Sequence, residues 1–226
     1  MIRMNASVSP TRVTGSALLI AVLVTAASCA SWNRKEKGAA IGAAAGAAVG
    51  GVIGNQTGST ARGAIIGAVV GGAAGAVIGH QMDQQAKELT LEIPGAVVER
   101  VGEGIQVTFA SGLLYDFDSD AIRPEAAQNL RNLAVSLRKY PNTDLLIVGH
   151  TDALGSTPYN QDLSMRRATS AAGYLTIQGV GSGRMQSSGR GELEALASNE
   201  TEAGRQLNRR IEVAIFAGEK ARAGGG

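Results

Sequence analysis

The 226-residue chain carries 21 Lys and Arg against 19 Asp and Glu, a formal net charge of +2, which excludes the strongly basic footprint of a nucleic-acid binder and an acidic tail. Aromatic residues make up 4% of the chain while glycine takes 31 positions, a bias that signals low-complexity sequence or tight helix packing, depending on where the glycines fall. The single cysteine, Cys29, excludes an internal disulfide.

Arg3 and Arg12 precede the apolar run Ala17–Val24, which leads into Thr25-Ala26-Ala27-Ser28-Cys29. A basic start, a short apolar core and small residues before a break are the features of a secretory signal. The core is shorter than the about 20 apolar residues of a comfortable membrane span. The small residues directly before Cys29 resemble a bacterial lipoprotein processing site, at which Cys29 would be acylated and become the new N-terminus. Ala26 stands where Leu is usual in that pattern. Ala30 in the next position resembles the pattern of outer-membrane sorting. This reading gives a signal peptide over 1–28 and a lipidated linker over 29–37. An inert thiol behind a plain signal or signal-anchor is the alternative.

Residues 38–79 form a low-complexity block. Gly38, Gly42, Gly46, Gly50 and Gly54 recur every four residues, and Gly63, Gly67, Gly71, Gly75 and Gly79 repeat the pattern 25 positions later. Ala, Val and Ile fill nearly all the positions between. A period of four lines each glycine set along one stripe of an α-helix. In water such a helix is weak, since each interior Gly costs roughly 0.5–1 kcal/mol against Ala. In a bilayer the same stripe lets helices approach closely. Arg62, in the polar connector 55–62, is the only charged residue inside the block. These features predict a glycine-zipper helical hairpin with two arms of 17 residues, each about 25 Å long at 1.5 Å per residue. A hairpin returns the chain to the side it left, which suits a lipid at Cys29 and a folded domain after residue 80 on one membrane face. Spanning the bilayer, lying in one leaflet, or assembling as a homo-oligomeric pore all fit the pattern. A disordered Gly/Ala linker and a water-soluble oligomerising helix pair are the alternatives, and the strict spacing in both copies disfavours the linker.

Residues 80–100 read as a linker with a turn at Pro94-Gly95, and the folded domain is expected over 101–218, with a disordered tail at 219–226. Ile105, Val107 and Phe109 alternate with Gln106 and Thr108, the period of a half-buried strand. Pro124 suits the first turn of a helix, and Ala126, Leu130, Leu133 and Leu137 follow at helical spacing up to Tyr140-Pro141. Leu145-Leu146-Ile147-Val148 is a continuous apolar run, as in a central strand covered on both faces. A second helix is expected from about Asn160 to Ile177, and a short strand or turn at Ser187–Gly191. Asn199 and Glu202 resemble a capping box that opens a short helix, and Ile211, Val213 and Ile215 alternate as a last strand. The order β-α-β-α-(β)-α-β predicts an α/β fold, an α+β sandwich with helices on one face of a mixed sheet. Roughly 120 residues suffice for a core of its own.

The distinctive stretch is Gly149-His150-Thr151-Asp152-x-x-Gly155, followed by Asn160-x-x-Leu163-Ser164-x-x-Arg167-Ala168. Gly149 ends the buried strand, so His150, Thr151 and Asp152 emerge at its C-terminal edge, where open α/β sheets bind ligands. Leu163 and Arg167 are four apart and share a helix face. A loop carboxylate facing a helix guanidinium would clamp a zwitterion, because Arg offers a planar fork for a carboxylate and Asp accepts from an ammonium or orients the loop.

Residues of about 105–216 resemble the C-terminal domain of the outer-membrane protein A-like family. The motif fragments that carry the likeness are Phe117-Asp118-Ser119, Gly149-His150-Thr151-Asp152, Asn160-x-x-Leu163-Ser164-x-x-Arg167-Ala168, Gly189-x-Gly191-Glu192 and Gly204-Arg205-x-x-Asn208-Arg209-Arg210-Ile211-Glu212. With a lipid signal and a glycine-rich hairpin ahead of them, the whole resembles lipoproteins of the YiaD type. The resemblance implies a βαβαβ peptidoglycan-binding domain, with a pocket for the peptide stem, often its diaminopimelate residue. Carried over, Asp152 and Arg167 are the ligand pair. Phe117, Asp118 and Ser119 border the pocket, Thr151 shares the loop of Asp152, Asn160 and Leu163 line it from the helix, and Arg209 lies nearby. Glu192-Leu193-Glu194-Ala195 lacks the proline that many members carry after Gly-Glu, which leaves the shape of that loop open.

Structural readings stand beside these. Asp152 and Arg167 could be an ordinary ion pair, His150 a residue that hydrogen-bonds the loop rather than a base or ligand, and Arg209 and Arg210 a strand pair with Glu212. The chain has two histidines, His80 and His150, and no Cys/His/carboxylate cluster at metal spacing, so no metal or cofactor is expected. The implied function is non-covalent tethering of the outer membrane to the wall, with peptidoglycan and outer-membrane lipid as partners, no nucleic acid, and the C-terminal domain in the periplasm. The competing class is an oligomeric pore or assembly module built on the zipper and moored to the wall. An energy-coupling subunit of the flagellar-stator kind needs an ionisable residue in a membrane helix, and none lies in 38–54 or 63–79. A wall hydrolase using Asp118, His150 and Asp152 is opposed by the resemblance, so no enzymatic activity is expected.

Overall fold

In the computed structural model, which describes residues 59–70 and 76–218, a five-stranded sheet of order β1-β2-β5-β3-β4 organises the chain. Contacts divide the chain into two compact units, 1–38 and 39–226, and every described residue belongs to the second. The signal peptide, Cys29, the first zipper arm and the tail lie outside the described residues. The strands are β1 (Ala96–Val101), β2 (Gly104–Ala110), β3 (Thr143–Gly149), β4 (Met185–Gly189) and β5 (Arg210–Ala217). The helices are α1 (Thr60–Val70), α2 (Ala76–Glu92), α3 (Ser111–Leu114), α4 (Ala127–Lys139), α5 (Thr157–Ile177) and α6 (Glu202–Asn208). Only β3 and β4 pair in parallel; the other ladders are antiparallel. This is the expected α/β architecture with a mixed sheet.

The period-two pattern places Ile105, Val107 and Phe109 of β2 and Ile211, Val213 and Ile215 of β5 on one face, where all six are buried. Helices α4 and α5 cover that face with Leu130, Leu133, Leu137, Ala168, Ala171 and Leu175. Side chains three and four apart on a helix form one apolar stripe, which is why these two helices lie down on the sheet. Two glycines set how close they come. A Cβ on Gly149 would stand 2.1 Å from the Ser164 carbonyl oxygen, and one on Gly189 would stand 2.6 Å from the Met165 backbone nitrogen. The ends of β3 and β4 therefore touch the backbone of α5 directly.

Residues 80–100 are not a linker. Helix α2 runs through to Glu92 and buries Met82, Ala86 and Leu89, with Ile93 just beyond it, in the same core. Their 4-3-4 spacing is that of one helix face. The expected turn at Pro94-Gly95 is present, with Gly95 at φ 80°, and it leads into β1. The capping residue of α6 also differs: Thr201, not Asn199, accepts a hydrogen bond from the Gly204 N–H, at 3.1 Å. Asn199 instead accepts from the Ala153 N–H.

The second face of the sheet is not bare. The described part of the second zipper arm, α1, packs on strands β5, β2 and β3, burying Ala61 and Ile65 against Val148 and Ala214. A helix was expected here, but as part of a membrane-associated hairpin; an apolar strip of sheet meets the same need of Ile65 as lipid would. Burying an isoleucine contributes roughly 1.5–3 kcal/mol. Gly104 makes the approach possible, since a Cβ there would lie 2.5 Å from Ile65 Cγ2. Polar contacts fix the start of the helix. Ser59 Oγ donates to Glu212 Oε2 at 2.9 Å, the Thr60 N–H to Glu194 Oε2 at 2.9 Å, and Arg62 to Gln106 and Glu99 at 3.0 and 2.8 Å. Helices thus occupy both faces, not one. No helix among the described residues is long and apolar enough to cross a membrane.

Candidate ligand-binding site

Four chain segments converge at the C-terminal edge of β3: the loop 150–155, the first half of α5, the loop 115–120 after α3, and Arg209 at the start of β5. Ser156 begins α5, accepting a hydrogen bond from the Tyr159 N–H, with Pro158 in the first turn, a position where a missing N–H is harmless. Along α5 the buried stripe reads Asn160, Leu163, Ser164, Arg167, Ala168, Ala171 and Leu175, so a guanidinium sits in line with apolar core positions.

Arg167 is 5% exposed. Its Nε donates to the Ser119 carbonyl oxygen at 2.8 Å and Nη2 to the Asp116 carbonyl oxygen at 3.4 Å. The guanidinium lies 5.3 Å from the centre of the Tyr115 ring, and the Tyr115 hydroxyl donates back to the Arg167 carbonyl oxygen at 2.7 Å. Among the described residues no ion pair reaches Arg167. Burial lowers its pKa from the ordinary arginine value, yet the group stays charged. A buried cation held by carbonyl dipoles and an aromatic face, with no carboxylate in direct contact, is costly.

Asp152 does not pair with Arg167. Its Oδ2 accepts from Arg209 Nη1 at 2.5 Å, and its Oδ1 accepts from the Leu154 N–H at 3.0 Å, closing the loop on itself. Arg209 also donates to Glu202 at 2.7 Å. Burial of Arg209 works against its charge, but Glu202 and Asp152 together raise its pKa above the ordinary value. Asn160 Nδ2 donates to the Asp152 carbonyl oxygen at 3.2 Å and to Glu192 Oε2 at 2.5 Å. The Thr151 N–H donates to the Gly191 carbonyl oxygen at 2.9 Å, while its buried hydroxyl has no hydrogen-bond partner among the described residues. Leu163, three residues after Asn160 on α5, is buried.

Phe117 stands apart, 96% exposed, at the tip of the loop whose carbonyls hold Arg167. Asp118, next to it, has φ 56°, the left-handed region that Asp tolerates better than most residues. Ser119 contributes its carbonyl oxygen to Arg167, and its hydroxyl accepts from the Ala121 N–H. The hydrogen bonds thus join the expected residues in two groups, Arg167 with Ser119 and Asp152 with Asn160 and Arg209, while Phe117 and Asp118 are exposed. Three participants were not named as site residues: Tyr115, Glu192 and Glu202. Glu192 stands in the Gly-x-Gly-Glu fragment, which was a readable signal; Tyr115 and Glu202 carried none.

His150 is fully buried on the sheet face opposite the main core, with Nε2 3.7 Å from Glu212 Oε2, and burial lowers its pKa. Glu212 also receives Arg210 Nε at 2.7 Å. Burial opposes ionisation of Glu212, but the neighbouring His150 ring and the Arg210 guanidinium outweigh it and hold its pKa at about 2. His150 is thus part of a sealed charge network behind the loop. No group of three or more metal-ligating side chains occurs among the described residues.

Residues 114–209 match the OmpA family, and residues 11–83 match the YMGG-like Gly-zipper family. The chain is 35% identical over 121 residues to the protein "Probable lipoprotein YiaD" of Escherichia coli K12, covering 54% of this chain and 55% of the relative. It is 33% identical over 116 residues to a peptidoglycan-associated lipoprotein of Agrobacterium fabrum, covering 51% of this chain and 66% of the relative. Among solved structures, the cell wall anchor of the T6SS from Pseudomonas aeruginosa superposes with a TM-score of 0.50 at 28% identity, covering 62% of this chain and 96% of that one. The match therefore spans roughly half to two thirds of the length of these two curated relatives.

Proposed function

We propose, from the premise that residues 114–209 are an OmpA-family domain, that this chain grips peptidoglycan without covalent chemistry and tethers the outer membrane to it. The observation that carries the reading is the buried guanidinium of Arg167, held by two carbonyls and reached by no ion pair among the described residues. Such a group is costly unless a carboxylate arrives. The end of a diaminopimelate side chain in a peptide stem offers a carboxylate and an ammonium on one carbon. Its carboxylate would take the free donors of Arg167 as a fork, and its ammonium would share the Asp152 carboxylate with Arg209. Asn160 and Thr151 would complete the polar wall and Leu163 the apolar floor. Phe117, at 96% exposure, would close over the stem from the solvent side.

The wall-binding relative and the cell-wall anchor named above support the partner. The Cys29 lipid would hold the other end in the outer membrane, which puts the folded domain in the periplasm. Retention of the chain on purified sacculi tests the reading. Replacing Asp152 and Arg167 together with Ala should abolish most retention, since losing one partner of a buried charge contact costs about 2–5 kcal/mol. Unchanged retention with an intact fold would sink the site assignment.

A further inference from the structure

The second face of the sheet holds a cavity of about 690 Å³ between the start of α1 and helix α6. Thr108 and Gln106 of β2 and Val97 of β1 form its floor, Ser59 and Arg62 one wall, and Leu196 and Leu207 the other. Val97, Leu196 and Leu207 are 58%, 58% and 61% exposed. Three large apolar side chains opening into one groove are unlike the singly scattered apolar residues of an ordinary surface.

Helix α1 adds a second observation. Its sheet side is Ala61, Ile65 and Ala68, yet Gly63 and Gly67 are buried as well. Gly63 and Gly67 each lie two positions from Ile65, which is roughly 160° round the axis at 3.6 residues per turn. Among the described elements, those that α1 packs against most are the strands, and these cover one side of it. Between Ala61 and Ala68 only Arg62 is exposed and Ile66 half-buried.

We propose that the glycine side of α1 and the adjoining groove are the docking surface for residues 39–54 of the chain's own first zipper arm. The chain enters α1 at Ser59, which lines the cavity, so the preceding residues must leave from the groove's wall. The connector 55–58 reaches at most about 14 Å, enough to turn back and set a second helix at the 8–10 Å spacing of packed helices. Tethering through so short a link gives an effective concentration on the order of millimolar, which favours the chain's own arm over a second copy. The sequence of the arm fits both parts of the surface. Gly50 and Gly54 repeat the four-residue stripe of Gly63 and Gly67. Val49, Val52 and Ile53 share another face at i, i+3 and i+4 and supply what the leucines of the groove lack.

The test places the photo-crosslinking residue p-benzoylphenylalanine at Ile66, on the rim of the stripe, or at Leu207, in the groove, of the full-length chain in detergent. Chains labelled with ¹⁴N and ¹⁵N are mixed before irradiation, so that adduct peptides report whether one chain or two took part. The expected result is an adduct to 39–54 within a single chain from each position, lost in the Gly67→Leu variant. The Ile66 probe decides the stripe and the Leu207 probe the groove. An adduct from a probe to a second copy, to lipid, or to no part of 39–54 overturns the part of the surface which that probe reports.

Discussion

Behind the loop 150–155, Glu212 ties three elements together. It accepts from Ser59 ahead of α1, pairs with Arg210 on its own strand and stands beside His150 at the end of β3. A carboxyl whose pKa falls from 4.5 to about 2 contributes on the order of 3 kcal/mol to stability at neutral pH. That contribution is present above the unfolded value and is lost as pH falls from 4.5 toward 2. His150 acts in the same direction at higher pH. Its folded pKa is lowered from 6.5, so below that pH the unfolded chain takes up a proton that the folded chain refuses. The thermal midpoint should therefore decline in two stages on acidification, and Glu212→Gln should flatten the lower stage. A wild-type midpoint unchanged between pH 7 and 3 would contradict the network. At this scale a compact motif makes a contact readable, as for Asn160 beside the Asp152 carbonyl, whereas the expected facing of Asp152 and Arg167 is replaced by separate partners. No compact motif carries the Arg209–Asp152 bond, which joins residues 57 apart and exists only once β5 lies beside β3.

Among the elements, α5 and β3 were legible because they are long and their periodicities are unmixed. Helix α2 was missed because its apolar positions, Met82, Ala86 and Leu89, are separated by Gln, Lys and Glu and follow a glycine run. Strand β1 was missed because Glu99 and Arg100 interrupt its alternation. The destination of α1 could not be read at all, since Ile65 between Gly63 and Gly67 suits lipid and sheet equally. Two variants probe this level. Gly149→Ala should destabilise the fold by about 3 kcal/mol, the upper range for overpacking, because the new methyl meets the backbone carbonyl of Ser164 rather than a movable side chain. A urea midpoint within error of wild type would contradict that packing. Ile65→Ala should cost about 2–4 kcal/mol and release α1 first, read as faster amide exchange across 60–70 than in the core strands. Uniform exchange across both would mean that α1 is not held by Ile65.

For the whole molecule, the proposed lipid at Cys29 is tested apart from the proposed wall contact. Metabolic palmitate labelling should mark the wild type and leave Cys29→Ala unlabelled; equal labelling of both would remove the lipid from the tether. The strand order has a consequence for how such a chain comes into being. The middle strand of the sheet, β5, is the last of the described elements in sequence, and it pairs with β2 on one side and β3 on the other. During synthesis from the N-terminus, β2 and β3 wait without their shared neighbour until residue 217 has emerged. Arg209 joins Asp152 only at that same moment, and α1 finds Ala214 only then. A polypeptide interrupted anywhere before Arg210 therefore has neither a closed sheet nor a seat for α1 at Ala214. Closure of the sheet has to await β5, and the elements made before it stay open along their shared edge until then.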